Sequence, residues 1–183
     1  MSAAGFALFD TPIGACGIAW RGEALVGLQL PARDEAAGMA RLARRFPSLG
    51  RAPMRAWVGQ VVDRIRALLA GEPVDLSAAP LDFTGIGAFE AAVYRAAREI
   101  KPGCTITYGA LAQRLGDSGQ ARAVGQALGR NPWPIVVPCH RVTAADGRTG
   151  GFSAPGGRAT KLRLLEIEGA LRPESLPLFA RPP

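Results

Sequence analysis

The sequence predicts an α/β fold in two units: a small antiparallel sheet with helices, then a mostly helical unit that holds two short helices across a turn. Three observations carry that expectation. Short apolar segments divided by turn residues open the chain, helical periodicity takes over from Met54, and two short helical stretches flank a Gly-containing turn at Gly116–Gly119.

Phe6–Phe9, Ala15–Trp20 and Ala24–Leu30 are the apolar segments. Asp10-Thr11-Pro12 divides the first two, and Arg21-Gly22-Glu23 reads as a hairpin turn between the others, so the set predicts an antiparallel sheet. Asp34–Phe46 predicts a helix. Met54–Ala70 predicts another, with Trp57, Val58, Val61, Val62, Ile65, Leu68 and Leu69 on one face and Gly71 then Pro73 to stop it. Pro73–Gly87, punctuated by Pro, Ser and Gly, reads as a linker, giving expected units of 1–83 and 84–170 and a tail of 171–183. The second unit opens with a helix over Ala88–Ile100, on which Phe89, Val93, Ala96 and Ile100 share a face. Thr107 caps Tyr108–Leu115, and Gln120–Gly129 follows the turn. That pair fits a helix-turn-helix and a plain αα-hairpin equally well. Ile135-Val136-Val137, between Pro134 and Pro138, predicts a short buried strand that delivers the chain to Cys139. A Gly-rich loop, Asp146–Gly157, leads to a last helix over Thr160–Glu168, stopped by Gly169.

Composition narrows the chemistry. Of 183 residues, 48% are hydrophobic, enough for a globular core. Met1–Phe9 does not read as a signal peptide, and no stretch approaches the roughly 20 apolar residues of a membrane span, so a cytoplasmic protein is expected. Three widely spaced cysteines do not form a disulfide framework, and with a single histidine no structural metal cluster is expected. The net charge of +7 is concentrated in residues 84–183, which carry +6 of it, and that asymmetry suits a polyanionic partner as well as a solvated surface.

Cys139 and His140 are the residues with reactive potential. A free thiol is only a few per cent thiolate at neutral pH, the thiolate is the nucleophile, and an imidazole oriented by a carboxylate can take its proton. Adjacent side chains usually point apart, so the contact is expected through a bent backbone or a bridging water. A bare Cys-His pair favours an inert buried thiol beside a capping histidine; the context reverses that, since the only histidine lies beside this cysteine, after a Pro-flanked segment and before a Gly-rich loop.

Pro138-Cys139-His140-Arg141-Val142 resembles the active-site signature of the O6-alkylguanine-DNA alkyltransferases (methylated-DNA–protein-cysteine methyltransferases). So do Thr107 to Ala112, Ala121 to Gly125, Arg130-Asn131-Pro132, Gly151-Phe152-Ser153 and Leu164 to Gly169, in order and spacing, with a weaker likeness at Phe9 to Gly14. The resemblance implies a ribonuclease-H-like N-terminal sheet and a winged-helix-type C-terminal unit. It implies a monomer that takes an alkyl group from O6-alkylguanine in double-stranded DNA onto Cys139 in a single turnover, without a cofactor. In that reading His140 is the water-mediated base, Glu168 orients it, and Asn131 is a hinge tying the recognition helix to the active-site strand. Tyr108 contacts the flipped guanine and assists its departure. Arg122 fills the vacated stack from the minor groove, with small Ala121, Ala123 and Gly125 beside it. Pocket walls are expected from Leu128, Trp133, Pro134, Val142, Phe152 and Ser153, with Cys139 and Val142 backbone groups reading the base edge. Two departures stand out: one histidine cannot rebuild the N-terminal zinc site of some members, and the loop Ser153–Gly157 is slightly long.

Rival classes make different demands. A lesion-binding relative without transfer activity lacks the acceptor cysteine. A sequence-specific regulator needs a polar reading helix instead of Ala121-Arg122-Ala123-Val124-Gly125, and a Cys-His hydrolase needs an oxyanion hole, for which no separate signature occurs.

Overall fold

A computed structural model of the protein describes residues 3–145 and 156–171. Gly151, Phe152, Ser153, most of the Gly-rich loop and the tail beyond 171 lie outside the described residues. Strands β1 (Ala4–Phe9), β2 (Cys16–Arg21) and β3 (Ala24–Gln29) form an antiparallel sheet in the order β1-β2-β3. The register runs from Ala4 opposite Arg21 to Phe9 opposite Cys16, and Gly22 at φ 59° turns β2 into β3. Helix α1 (Glu35–Arg45) starts where the Asp34 side chain accepts from Ala37 N at 2.7 Å and ends on Arg44 and Arg45, a charge order that suits the helix dipole. It covers one sheet face, and it can do so because β2 and β3 present glycines there. A Cβ on Gly17 would stand 2.9 Å from Leu42, and one on Gly27 would stand 2.3 Å from Phe46.

The other sheet face joins the main core. Ile18, Trp20, Leu25 and Leu28 pack with Val58, Val62, Ile65 and Leu68 of α2 (Ala56–Leu69), and the same cluster runs on through Tyr94, Trp133 and Val137. The linker is stitched down: Leu25 N donates to Pro80 O and Asp82 N to Leu25 O, both at 2.9 Å, along the outer edge of β3. Arg98 caps the carbonyls of Leu76, Ser77 and Ala79, and Lys101 reaches Asp75 at 2.5 Å.

Helix α3 (Ala88–Arg98) buries Ala91, Val93, Tyr94 and Ala97, with Ile100 following; Phe89 and Ala96 of the expected face are only half-buried. The stripe is rotated because Tyr94 turns inward, its hydroxyl donating to Ala127 O at 2.9 Å. Helix α4 (Tyr108–Arg114) is capped by Thr107, which accepts from Ala110 N at 3.1 Å. A 3-10 turn over Ser118–Gln120 leads to α5 (Ala121–Gly129) and completes a helix pair across a short turn. Two two-residue strands escape sequence reading: β4 (Ile106–Thr107) pairs in parallel with β5 (Val142–Thr143). That pairing sets the start of α4 beside the chain leaving Cys139. The last helix, α6 (Gly157–Ile167), begins three residues earlier than expected, from Gly156 at φ 81°. Among the described residues no helix is long and apolar enough to cross a membrane.

The expected strand over Ile135–Val137 is not a strand. Val137 N donates back to Trp133 O at 2.8 Å and Ile135 sits at φ 76°, so the segment is a tight turn, with one isolated bridge between Pro134 and Val137. Proline at 134 and 138 removes two ladder donors, leaving too few for a strand. The apolar side chains are nonetheless buried, as their composition demands. A β-branched residue in the left-handed region is strained by about 1–3 kcal/mol and persists only where its surroundings hold it.

Candidate active site

What holds that turn is Asn131. Its Oδ1 accepts from Trp133 N at 2.9 Å and its Nδ2 donates to Val137 O at 2.8 Å, closing the ends of the turn on one side chain. Val137 O also accepts from Cys139 N at 2.8 Å, and Cys139–Arg141 then form a 3-10 turn. The expected tie to an active-site strand is therefore a tie across a strained turn. Cys139 is 8% exposed. Burial pushes its thiol pKa up, while the Asn131 side chain, the Lys161 charge and the backbone N–H groups of Cys139 and His140 oppose that.

Behind the cysteine lies a buried polar group fixed on three sides. His140 is fully buried, and its Nε2 lies 2.9 Å from Glu168 Oε1. Arg141 grips the same carboxylate with two bonds of 2.8 Å, from Nε to Oε2 and from Nη2 to Oε1. Burial works to raise the Glu168 pKa, but the bonds from His140 and Arg141 outweigh it and hold the group at about 2. Burial also lowers His140 below its ordinary value against the pull of Glu168. The pair therefore rests at neutral pH as carboxylate and neutral imidazole. With the carboxylate accepting at Nε2–H, the lone pair falls on Nδ1, which is buried without a hydrogen-bond partner among the described residues. Glu168 sits here because it is the C-cap of α6, whose Leu164 and Leu165 are buried.

Tyr108 and Arg122 line a cavity of about 860 Å³, with Thr107, Gly109, Ala121, Gly125, Gln126, Gly129, Ala144 and Ala145. Gly125 lies against the Tyr108 ring, where a Cβ would sit 3.7 Å from it. Arg122 is exposed on the first turn of α5, and Ala123 is half-buried beside it. Sequence reasoning missed Lys161. It is fully buried, donates to Val142 O at 2.5 Å, and lies 3.5 Å from the Tyr108 hydroxyl. Burial lowers its pKa to about 8, against the pull of Cys139. The signal was available: Lys161, Leu164, Leu165 and Glu168 recur at helical spacing, so the lysine shares the face of buried leucines.

Several expected pocket residues stand elsewhere. Trp133 is 1% exposed and packs in the core between Phe83 and Tyr94, its Nε1 donating to Leu25 O at 2.9 Å. Leu128 and Val142 are also core, and Pro134 is half-buried in the strained turn; neither these four nor Cys139 itself lies on the cavity wall. A proline-rich turn that folds back on itself carries its apolar groups inward instead of into the cleft. The carbonyls offered as base-edge readers are already engaged, Cys139 O by Val142 N and Val142 O by Lys161, which leaves one lone pair on each. Among the described residues no metal-ligating cluster gathers.

The chain is similar to known proteins along most of its length. The profile of the 6-O-methylguanine DNA methyltransferase DNA-binding domain matches residues 88–170. The methylated-DNA–protein-cysteine methyltransferase of Methanothermobacter thermautotrophicus is 42% identical over 112 residues, 61% of each chain. A DNA base-flipping protein of Thermus thermophilus is 45% identical over 61% of this chain and 74% of its own. The methylated-DNA–protein-cysteine methyltransferase of Mycobacterium leprae is 38% identical over 93% of this chain and 95% of its own. The crystal structure of Mycobacterium tuberculosis OGT in complex with DNA superposes with a TM-score of 0.72 at 34% identity, covering 93% of this chain and 96% of that one. With a relative this similar along nearly its whole length, the chain belongs to the methylated-DNA–protein-cysteine methyltransferase family.

Proposed function

We propose that the protein repairs alkylated double-stranded DNA by moving an alkyl group from O6 of guanine to Cys139 Sγ, once per molecule. The observation that carries this is a buried imidazole–carboxylate pair at the residue next to Cys139, together with Tyr108, which feels the Cys139 charge and lines a cavity large enough for a purine. The Cys139 proton passes through a water to His140 Nδ1, while Glu168, kept ionised by Arg141, offsets the imidazolium. The thiolate attacks the alkyl carbon, the S–C bond forms as C–O6 breaks, and the electron pair returns to the purine. Tyr108 gives the leaving base a proton, and the Lys161 ammonium compensates the charge left on its oxygen. The thioether has no route back to thiol, so each molecule reacts once. Apart from the substrate and one relaying water, every group in this sequence is a side chain of the protein.

The base must first leave the stack, which costs a few kcal/mol. Arg122 occupies the gap, and Ala121, Ala123 and Gly125 let α5 enter the minor groove. In finer terms, we assign residues 1–83 to a ribonuclease-H-like unit, 84–170 to a winged-helix-type unit and 171–183 to a tail, in a cytoplasmic monomer.

The base-flipping relative supports a second reading, in which damage is bound without transfer. Cys139 separates the two. Mixed with a duplex carrying one O6-methylguanine and mapped by peptide mass spectrometry, the protein gains one methyl on Cys139. Cys139→Ala gains none and still binds the duplex. An unmodified Cys139 on the wild type, with binding intact, sinks transfer in favour of flipping alone.

A further inference from the structure

The strained turn that aims Cys139 is held from outside its own unit. Pro132, next to Asn131, presents its carbonyl to the outer edge of β3. Leu28 N donates to it at 2.9 Å, and Arg45 Nη2, from the end of α1, donates at 2.9 Å. Arg45 Nη1 reaches Leu28 O at 2.8 Å, so one guanidinium spans the strand edge and the carbonyl docked on it. Trp133 Nε1 adds a third tie, to Leu25 O at 2.9 Å. An edge strand's unpaired groups are normally a liability; here they are consumed in gripping residues 132–133. The grip is aimed. Phe46 packs where Gly27 lacks a side chain, docking the end of α1 on β3, and the Arg45 guanidinium lies 5.0 Å from the Phe46 ring centroid. Both lone pairs of Pro132 O are thus filled by the N-terminal sheet and helix. From Pro132 the path to the sulfur is two residues of covalent chain and one side chain: Asn131, then Val137 O, then Cys139 N.

We propose that Arg45 is a positioning residue for the acceptor, clamping Pro132 to β3 so that Asn131 holds the Cys139 turn in its reactive geometry. This rests on Cys139 being the acceptor, and it adds that the α/β unit sets the direction and ionisation of a thiol it does not touch. Without the guanidinium, Pro132 keeps only the Leu28 bond. The Asn131 amide then loses its fixed relation to Cys139, and the thiol loses a contact that favours its charged form. The titratable groups whose charges act on the sulfur or feel it, Lys161, Tyr108 and Tyr94, are all unaltered in an Arg45 variant.

The test uses Arg45→Met and Arg45→Lys in the full chain, with two readouts. Single-turnover transfer from an O6-methylguanine duplex should slow roughly tenfold in Arg45→Met, with duplex affinity within about twofold of wild type, since small misplacements of reacting atoms are costly. Labelling of Cys139 by iodoacetamide, followed against pH, should move toward alkaline pH by about half a unit or more. Arg45→Lys, which keeps one donor, should fall between, and added guanidinium should restore Arg45→Met toward wild type. A loss of rate or Tm with an unmoved labelling profile overturns the proposal, as does a wild-type profile in both variants. If wild-type protein takes no methyl from the duplex, the repair reading fails, and the labelling profile still decides whether Arg45 governs the thiol.

Discussion

The two sides of the acceptor turn are built on opposite terms. Behind Cys139, His140, Arg141 and Glu168 are 6% exposed or less at their side chains, and both oxygens of the shared carboxylate accept from charged or ring donors. In front, Gly109, Ala121, Gly125, Gly129, Ala144 and Ala145 leave an open cavity with one exposed arginine at its rim. The difference teaches where this protein needs fixed geometry and where it needs room. A proton must be handed over at a set distance, and a carboxylate with both oxygens engaged fixes the ring that receives it. A base swung out of a duplex arrives by a large motion, and small side chains accept it without being ordered first.

The largest break in this contrast is at the back. Glu168→Gln should reduce single-turnover transfer by about a hundredfold, the lower range for losing a positioned acid–base partner, with duplex binding unchanged. It should also alter acid stability. The Glu168 pKa is held at about 2 against an ordinary 4.5, so its stabilisation is fully present above pH 4.5 and is lost as pH falls through 2. That window corresponds to about 3 kcal/mol of linkage. A wild-type Tm that does not fall between pH 5 and pH 2 relative to the variant's contradicts the assignment of an ionised carboxylate. Next in size is the rim. Arg122→Ala should slow repair of the duplex about tenfold or more while leaving dealkylation of the free modified base near wild type, since only the duplex demands flipping. Equal losses on both substrates would remove the arginine from the stack. The smallest and most diagnostic change lies between the two sides. With Lys161 titrating at about 8, wild-type transfer should rise toward that pH and then stop rising, as the ammonium that favours both thiolate and tyrosinate is lost. Lys161→Met should be roughly threefold to tenfold slower at pH 7, a modest loss for one nearby charge, and should lack the break near 8. A retained break assigns it to another group.

Much of this was legible along the chain, for reasons that differ by region. Caps and stops announce helices locally, as Asp34, Thr107, Gly71 and Gly169 do. At the front of the site, Arg122, Ala121 and Gly125 emerged through resemblance, while Gly129, Ala144 and Ala145 of the cavity wall were not singled out. Its back was only half readable. Glu168 emerged through resemblance, but nothing local shows that Arg141 shares its carboxylate. Lys161 went unread, although it shares the helical spacing of Leu164, Leu165 and Glu168. The β4–β5 pair is two residues long and joins positions 36 apart, below the reach of any pattern of period two. Ile135–Val137 misled for the converse reason: β-branched composition favours a strand, yet the flanking prolines and the Asn131 clasp decide the backbone.

The carboxylate at the end of α6 has a consequence for the order in which the protein comes into being. A nascent chain that has emerged as far as residue 160 already contains the sulfur, the imidazole and the helix pair, yet nothing to tilt the ring or offset its charge. Full reactivity therefore waits for the C-terminal helix to dock, and an unfinished chain on the ribosome carries a thiol that is still largely quiet.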